Sequence, residues 1–163
     1  MRTVLLLMIC LLPLQVGAWC FREAGARYGV DPLVLQAIAI WESRMRADVV
    51  GYNKADDGRI LSRDYGVMQV NSANVARLQR IGVIRTPQDL LDDACLNVQA
   101  GAWVLARHLR VCGNTWGCLG SYNAGFADTR RQERRRMAYA AEIHAIYIRL
   151  KAREADKVRL AIR

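Results

Sequence analysis

From Leu33 to Trp41 nearly every side chain is apolar, and the run follows directly on Asp31-Pro32. Asp can cap the free amides at a helix start, and Pro suits the first turn, where its missing N–H has no partner to lose. The run therefore predicts a helix without a polar face, which belongs in the middle of a domain. Residues 50–71 break that pattern: Asp57-Gly58 marks a turn, and Tyr65, Val67 and Val70 suit short extended segments, so a small β-hairpin region is expected. Helical signals resume at Ser72, which can cap a segment running to about Ile81. Thr86-Pro87-Gln88-Asp89 reads as a capping box with Pro in the first turn. Asn97 to Leu109 carries Val98, Ala102, Leu105 and Leu109 at helical spacing, with Trp103 alongside. Ser121 to Gly125 reads as a polar, Gly-ended turn. A last amphipathic helix is predicted from about Arg136 to Ala155, with Ile143, Ile146, Tyr147 and Leu150 on one face. The sum is an α+β domain, mainly α-helical, with a small β-hairpin region.

The first eighteen residues stand apart from this pattern. Met1-Arg2 gives a positive start, Val4 to Leu12 an apolar run, and Val16-Gly17-Ala18 a small-residue cleavage site. This is the layout of a secretory signal peptide, and the run is too short to span a bilayer. Residues 1–18 are thus expected to be removed, leaving one domain over residues 19–163 with no stable membrane insertion and a periplasmic destination. Trp19 would precede Cys20 where a lipidation site needs a small residue.

Removal of Cys10 leaves Cys20, Cys95, Cys112 and Cys118. An even set in an exported chain reads as two disulfides, and four cysteines allow three connectivities. Cys112 and Cys118 flank a short Gly-containing stretch and can close a local loop, with Cys20 then tethered to Cys95. Zinc is the competing use, but His108 and His144 lie at no ligand spacing from these cysteines. No metal or cofactor is expected.

The formal net charge is +9, and residues 127–163 hold eleven Lys and Arg against five Asp and Glu. A basic tail often meets nucleic acid or an acidic surface, but export argues against nucleic acid. An anionic cell-wall polymer and a merely solvated helix face are the two readings left open.

Glu42 closes the apolar run. Cleavage of a glycosidic bond needs a carboxylic acid that stays protonated near neutral pH, and burial among apolar groups provides one by penalising the charged form. Taken alone, Glu42 reads rather as an exposed residue of a last helical turn, or as a partner of Arg44 or Arg46.

Three strings then change the weight: Glu42-Ser43, Asp64-Tyr65-Gly66-Val67-Met68-Gln69-Val70-Asn71-Ser72, and Ser121-Tyr122-Asn123-Ala124-Gly125. In this order they resemble the motifs of lysozyme-like lytic transglycosylases, and Tyr139 in Met137-Ala138-Tyr139-Ala140 looks like that family's closing Tyr. The resemblance runs from about Cys20 to Leu150. It is closest in kind to the small specialised members that act beside secretion, conjugation or pilus machines. It implies a peptidoglycan substrate and a lysozyme-like fold. Glu42 would protonate the oxygen between N-acetylmuramic acid and N-acetylglucosamine. As a carboxylate it would then take the proton of the muramoyl C6 hydroxyl, whose attack on C1 gives a 1,6-anhydro sugar. Ser43 would orient Glu42; Met68, Gln69 and Asn71 would line the glycan groove, as would Tyr122 and Asn123; Tyr139 would bond near Glu42. An extended Gly66–Asn71 segment would aim Gln69 and Asn71 at one cleft.

Asp64 is placed like the second carboxylate of animal-type lysozymes, to which its string is also similar. Such a pair favours a retaining hydrolase. Arg59-Ile60-Leu61, however, lengthens the hairpin and can carry Asp64 out of the cleft. Beside the transglycosylase stand three other readings: a hydrolytic muramidase using Glu42 and Asp64, a non-catalytic glycan-binding assembly factor, and a module that recruits a partner through its basic tail.

Overall fold

The computed structural model describes residues 19–162; the expected signal peptide, residues 1–18, lies outside the described residues. Helices α1 (Phe21–Tyr28) and α2 (Pro32–Ser43) come first, followed by strands β1 (Val50–Lys54), β2 (Ile60–Tyr65) and β3 (Val70–Asn71). Six helices complete the chain: α3 (Ser72–Arg80), α4 (Asp89–Asp92), α5 (Ala94–Cys112), α6 (Trp116–Leu119), α7 (Ser121–Ala124) and α8 (Arg130–Ala161). The expected mainly helical α+β class is what forms.

The caps explain most boundaries. Asp31 accepts from the Leu33 amide 2.8 Å away at the start of α2. Asn71 does the same for Ala73 at the start of α3, Asp93 for Leu96 in α5, and Thr129 for Gln132 in α8. Two of these caps lengthen helices beyond their apolar spacing. Helix α5 begins at Ala94 because Asp93 caps it, and α8 begins at Arg130, six residues before the expected Arg136, because Thr129 caps it. Helix α1 carries no side-chain cap at all, so its start gave no signal in the sequence. The Thr86–Asp89 box forms with Asp89 as its main acceptor, taking the Arg85 and Thr86 amides at 2.6 and 3.1 Å.

Leu35, Ala37, Ile38 and Ala39 of α2 are inaccessible to solvent, as are Val98, Ala102 and Leu105 of α5 and Ile143 of α8. Helix α2 packs on α8 and α1, and α1 in turn packs on α5. Each fully buried Leu or Ile contributes about 1.5–3 kcal/mol of transfer free energy, so this stripe dominates the stability of the domain. The helix is not enclosed on all sides, however. Trp41 is 45 % exposed, so the last turn of α2 carries Glu42 from the core toward the surface.

The sheet has the order β1-β2-β3 and is antiparallel throughout. Side chains alternate across a strand, and the register puts Gly51, Asp64 and Asn71 in one row, with Asn53 opposite Ser62 two residues along β1. Asp64, Asn71, Asn53 and Ser62 therefore share a face. The hairpin's extra length is absorbed beyond them, at the Ala55–Arg59 turn and a bulge at Asn53/Lys54. It does not displace Asp64.

Residues 66–69 are not the expected extended segment. Gly66 (φ 72°) and Gln69 (φ 48°) are both left-handed and close a turn in which the Gln69 amide donates to Gly66 O at 3.0 Å. The turn is locked from α5 by Asn97, which is fully buried. Its Nδ2 donates to Tyr65 O (2.8 Å) and Leu90 O (3.0 Å), and its Oδ1 accepts from Met68 N (2.8 Å). A Cβ on Gly66 would collide with the Asn97 amide, so this close approach requires glycine.

Two disulfides form, Cys20–Cys95 and Cys112–Cys118. Of the three connectivities, this is the pairing with the local loop. It engages all four sulfurs, so a zinc site built on them is overturned. Among the described residues no helix is long and apolar enough to cross a membrane.

Candidate active site

Glu42 lies one residue from the end of α2, just before Arg44 (φ 55°) and Met45 (φ 63°) turn the chain away through two left-handed residues. Its carboxyl accepts a 2.6 Å hydrogen bond at Oε1 from the hydroxyl of Tyr139, on α8. Burial pushes the Glu42 pKa up from the usual 4.5 to about 7; the Tyr139 bond opposes that shift and the nearby charge of Asp64 adds to it. Tyr139 and Tyr122 are themselves held well above the usual phenol value, first by burial and then by the charge of Glu42. Both therefore remain neutral donors. Because Tyr139 donates to Oε1, Oε2 is the oxygen left to carry the acidic proton.

Glu42 and Asp64 line the same polar cavity, about 280 Å³, together with Asn53, Gln69, Asn71, Tyr122 and Asn123. Asp64 is fixed from both sides: Asn71 Nδ2 donates to its Oδ1 and Asn53 Nδ2 to its Oδ2, each at 2.7 Å. A second depression of about 390 Å³ lies beyond, lined by Trp41, Tyr139 and Glu142. Asn123 and Arg135 border both hollows, so the Glu42–Tyr139 pair sits between two connected parts of one groove.

Other predicted residues act from behind the wall. Ser43 is only 2 % exposed, and its hydroxyl donates to Ala39 O at 3.0 Å and accepts from the Arg46 amide at 3.2 Å. It fastens the end of the helix that bears Glu42, and no bond joins it to the Glu42 carboxyl. Met68 is fully buried and does not reach the cavity. Its backbone oxygen accepts from the Tyr122 hydroxyl at 2.8 Å, so the turn and α7 are joined there. Gln69 reaches the cavity, but its amide nitrogen is engaged by Val49 O and Gly66 O at 3.1 and 2.8 Å. Asn71 likewise divides its amide between Asp64, Ser62 and the α3 cap.

Sequence reasoning missed Asn53, Asn74, His108, Ser121, Arg135 and Trp41, all of which border the groove. Asn53 was accessible by counting: a turn centred on Asp57-Gly58 pairs it with Ser62 and puts Gly51 opposite Asp64, as the register confirms. His108 comes from a helix whose apolar spacing gave no hint of a polar neighbour. Ser121 Oγ donates to Cys118 O at 2.7 Å and meets His108 Nδ1 at 2.8 Å. The one hydroxyl proton is thus committed, so Nδ1 is the donor and neutral His108 keeps Nε2 as an acceptor. Burial, then the charge of Arg107, lowers the His108 pKa and favours that neutral form.

Comparison with known proteins gives a family model described as "Transglycosylase SLT domain", which matches residues 19–145. The chain is similar to the "Peptidoglycan-binding-like protein" of Escherichia coli O157:H7, 42 % identical over 131 residues that cover 80 % of this chain and 77 % of that protein. An "X polypeptide" of Escherichia coli is 38 % identical over 156 residues, covering 94 % and 88 % of the two chains. "Invasion protein IagB" of Salmonella typhimurium (strain SL1344) is 35 % identical over 142 residues, covering 86 % and 83 %.

Proposed function

This chain belongs to the transglycosylase SLT domain family, and from that premise we propose that it is a peptidoglycan lytic transglycosylase in which Glu42 serves as acid and then as base. The observation that carries this reading is a single carboxyl with its pKa raised to about 7, set between the two halves of a groove. Such a group is matched to proton transfer near neutral pH.

The glycan strand lies along the groove with the bond between N-acetylmuramic acid and N-acetylglucosamine over Glu42. Oε2 gives its proton to the bridging oxygen as the C1–O bond breaks, and the positive charge growing at C1 is met by the fixed carboxylate of Asp64. Glu42, now ionised, takes the proton from the muramoyl C6 hydroxyl, whose oxygen closes on C1. The products are a free 4-hydroxyl and a 1,6-anhydro ring, and no water is consumed. Asn123, at the junction of the two hollows, is placed to bond a sugar hydroxyl or acetamide with donor and acceptor alike. Trp41 offers an exposed face beside the cut. Gln69, Asn71, Met68, Tyr122 and Ser43 serve by holding the wall, Asp64 and the end of α2 in place.

The proposed setting is the periplasm, where the enzyme opens the wall locally for a secretion, conjugation or pilus apparatus. In support, one relative is named an invasion protein and another a peptidoglycan-binding-like protein. Two disulfides also suit an oxidising compartment. Digestion of purified sacculi, followed by mass spectrometry, tests the chemistry. Products ending in 1,6-anhydro-muramic acid, absent with Glu42→Gln, are expected. A second reading, a hydrolase with Asp64 as the other catalytic carboxylate, is favoured by the rigid seating of Asp64 in the cavity. It requires reducing-end products one water heavier.

A further inference from the structure

A second concave surface, separate from the glycan groove, lies between α1, the end of α3 and α5. It encloses about 360 Å³ and is lined by Tyr28, Leu78, Ile81, Val83, Gln99 and Trp103, among others. No Asp or Glu lines it. Ile81 and Val83 are 56 % and 47 % exposed, yet they are held in fixed places. Val83 N donates to Leu78 O at 2.9 Å, Gly82 is left-handed, and Gln79 Nε2 donates to Arg85 O at 2.9 Å. Exposed apolar side chains on a fastened loop are available to a partner without an ordering cost.

Cations surround these apolar groups. Arg27 lies over the Tyr28 ring at 5.5 Å and Arg107 over the Trp103 ring at 4.8 Å. Arg77 and Arg110 are close enough to Arg107 to lower its pKa, after partial burial. None of these four arginines forms an ion pair among the described residues. Finally, Gln99 lines the hollow, and its Oε1, which has no solvent contact, accepts no hydrogen bond among the described residues. An acceptor in that state lacks an N–H donor.

We propose that this hollow is a docking site for an acidic peptide segment of another protein, anchored by an apolar side chain between Val83 and Trp103. The apolar floor takes the anchor, and the arginine rim meets flanking carboxylates. An anionic membrane would satisfy the charge, but its flat surface does not fill a concave hollow. The proposal is independent of the chemistry in the glycan groove.

The test uses nuclear magnetic resonance on the purified chain, following the Trp103 indole and Gln99 side-chain signals. A short synthetic peptide with a central Phe flanked by Asp and Glu is titrated against its Lys-flanked counterpart and against phosphatidylglycerol vesicles. The acidic peptide should shift both signals to saturation. Arg27→Glu and Val83→Asp should each weaken it roughly tenfold or more, with sacculus cleavage unchanged. Equal binding of the Lys-flanked peptide would overturn the proposal. So would shifts caused by vesicles alone, or undiminished binding to both variants.

Discussion

Tyr139 reaches across 97 residues of sequence to donate its hydroxyl to Oε1 of Glu42 at 2.6 Å. The bond ties α8 to the last turn of α2 and divides the two carboxyl oxygens by role: Oε1 is occupied, and Oε2 is free to hold a proton. The same contact lowers the Glu42 pKa while burial raises it. The acid is thus tuned by two opposed effects, of which burial is the larger.

Glu42→Gln should abolish glycan cleavage and stabilise the fold. With the Glu42 pKa near 7 when folded and 4.5 as the ordinary value, both states are protonated below about pH 4.5, and the variant gains nothing there. Between those values the unfolded chain loses its proton first, and above about pH 7 the folded protein carries the full cost of a buried charge. The gain should therefore grow with pH to at most about 3 kcal/mol. Urea denaturation of both proteins across this range measures it; equal stability at high pH would contradict the buried-acid assignment.

Cleavage should decline as pH rises through about 7, where Glu42 loses its proton. Tyr139→Phe removes the hydrogen bond that lowers this pKa, so the alkaline limb of the rate profile should move to higher pH. At the same time the maximal rate should fall by about one to two orders of magnitude as the carboxyl loses its orientation. A limb that moves to lower pH would be the wrong sign.

Asn53 and Asn71 each give Asp64 one hydrogen bond, but only Asn71 also caps α3. Replacing either by Ala should slow cleavage by about tenfold, the effect of one bond to a charged group. Asn71→Ala should in addition cost about 1 kcal/mol of stability for the lost cap. Paired kinetic and denaturation measurements separate the two effects, and full activity in both variants would remove Asp64 from the mechanism.

Gly101→Ala should be destabilising, although Ala in a helix interior ordinarily gains about 1 kcal/mol over Gly. The new Cβ would stand 2.6 Å from Met68 Cβ and 2.9 Å from its Cε, inside a filled core. Overpacking of this kind costs about 1–3 kcal/mol. Any shift of Met68 also moves the carbonyl that receives Tyr122, so cleavage should fall along with the midpoint of denaturation.

Helix α2 and its cap were legible in the residues themselves, because a continuous apolar run and an Asp-Pro start admit few other structures; the partial burial of Glu42 was not, until the motif strings were read with it. The three motif strings located the residues of the groove, but not their work. Gln69 looked like a strand residue and is a left-handed turn residue. Its conformation depends on Asn97, and nothing near Gln69 in sequence announces a side chain 28 positions away. Met68 was read as a groove residue for the same reason: a motif marks a place in the chain, whereas burial is decided by what packs on it. Arg135 was hidden in a run of arginines whose members differ only in which side of α8 they occupy.

The two disulfides differ greatly in reach, with sequence separations of 75 and 6. In a reduced chain exposed to an oxidant, the ends of the short loop meet far more often, since the entropy of closure grows with the length enclosed. Cys112 and Cys118 should pair early and leave Cys20 and Cys95 as each other's remaining partner among the described residues. The short bridge, which constrains little by itself, thereby acts as an editor: it removes the two mispaired isomers before the long-range bond has to be found.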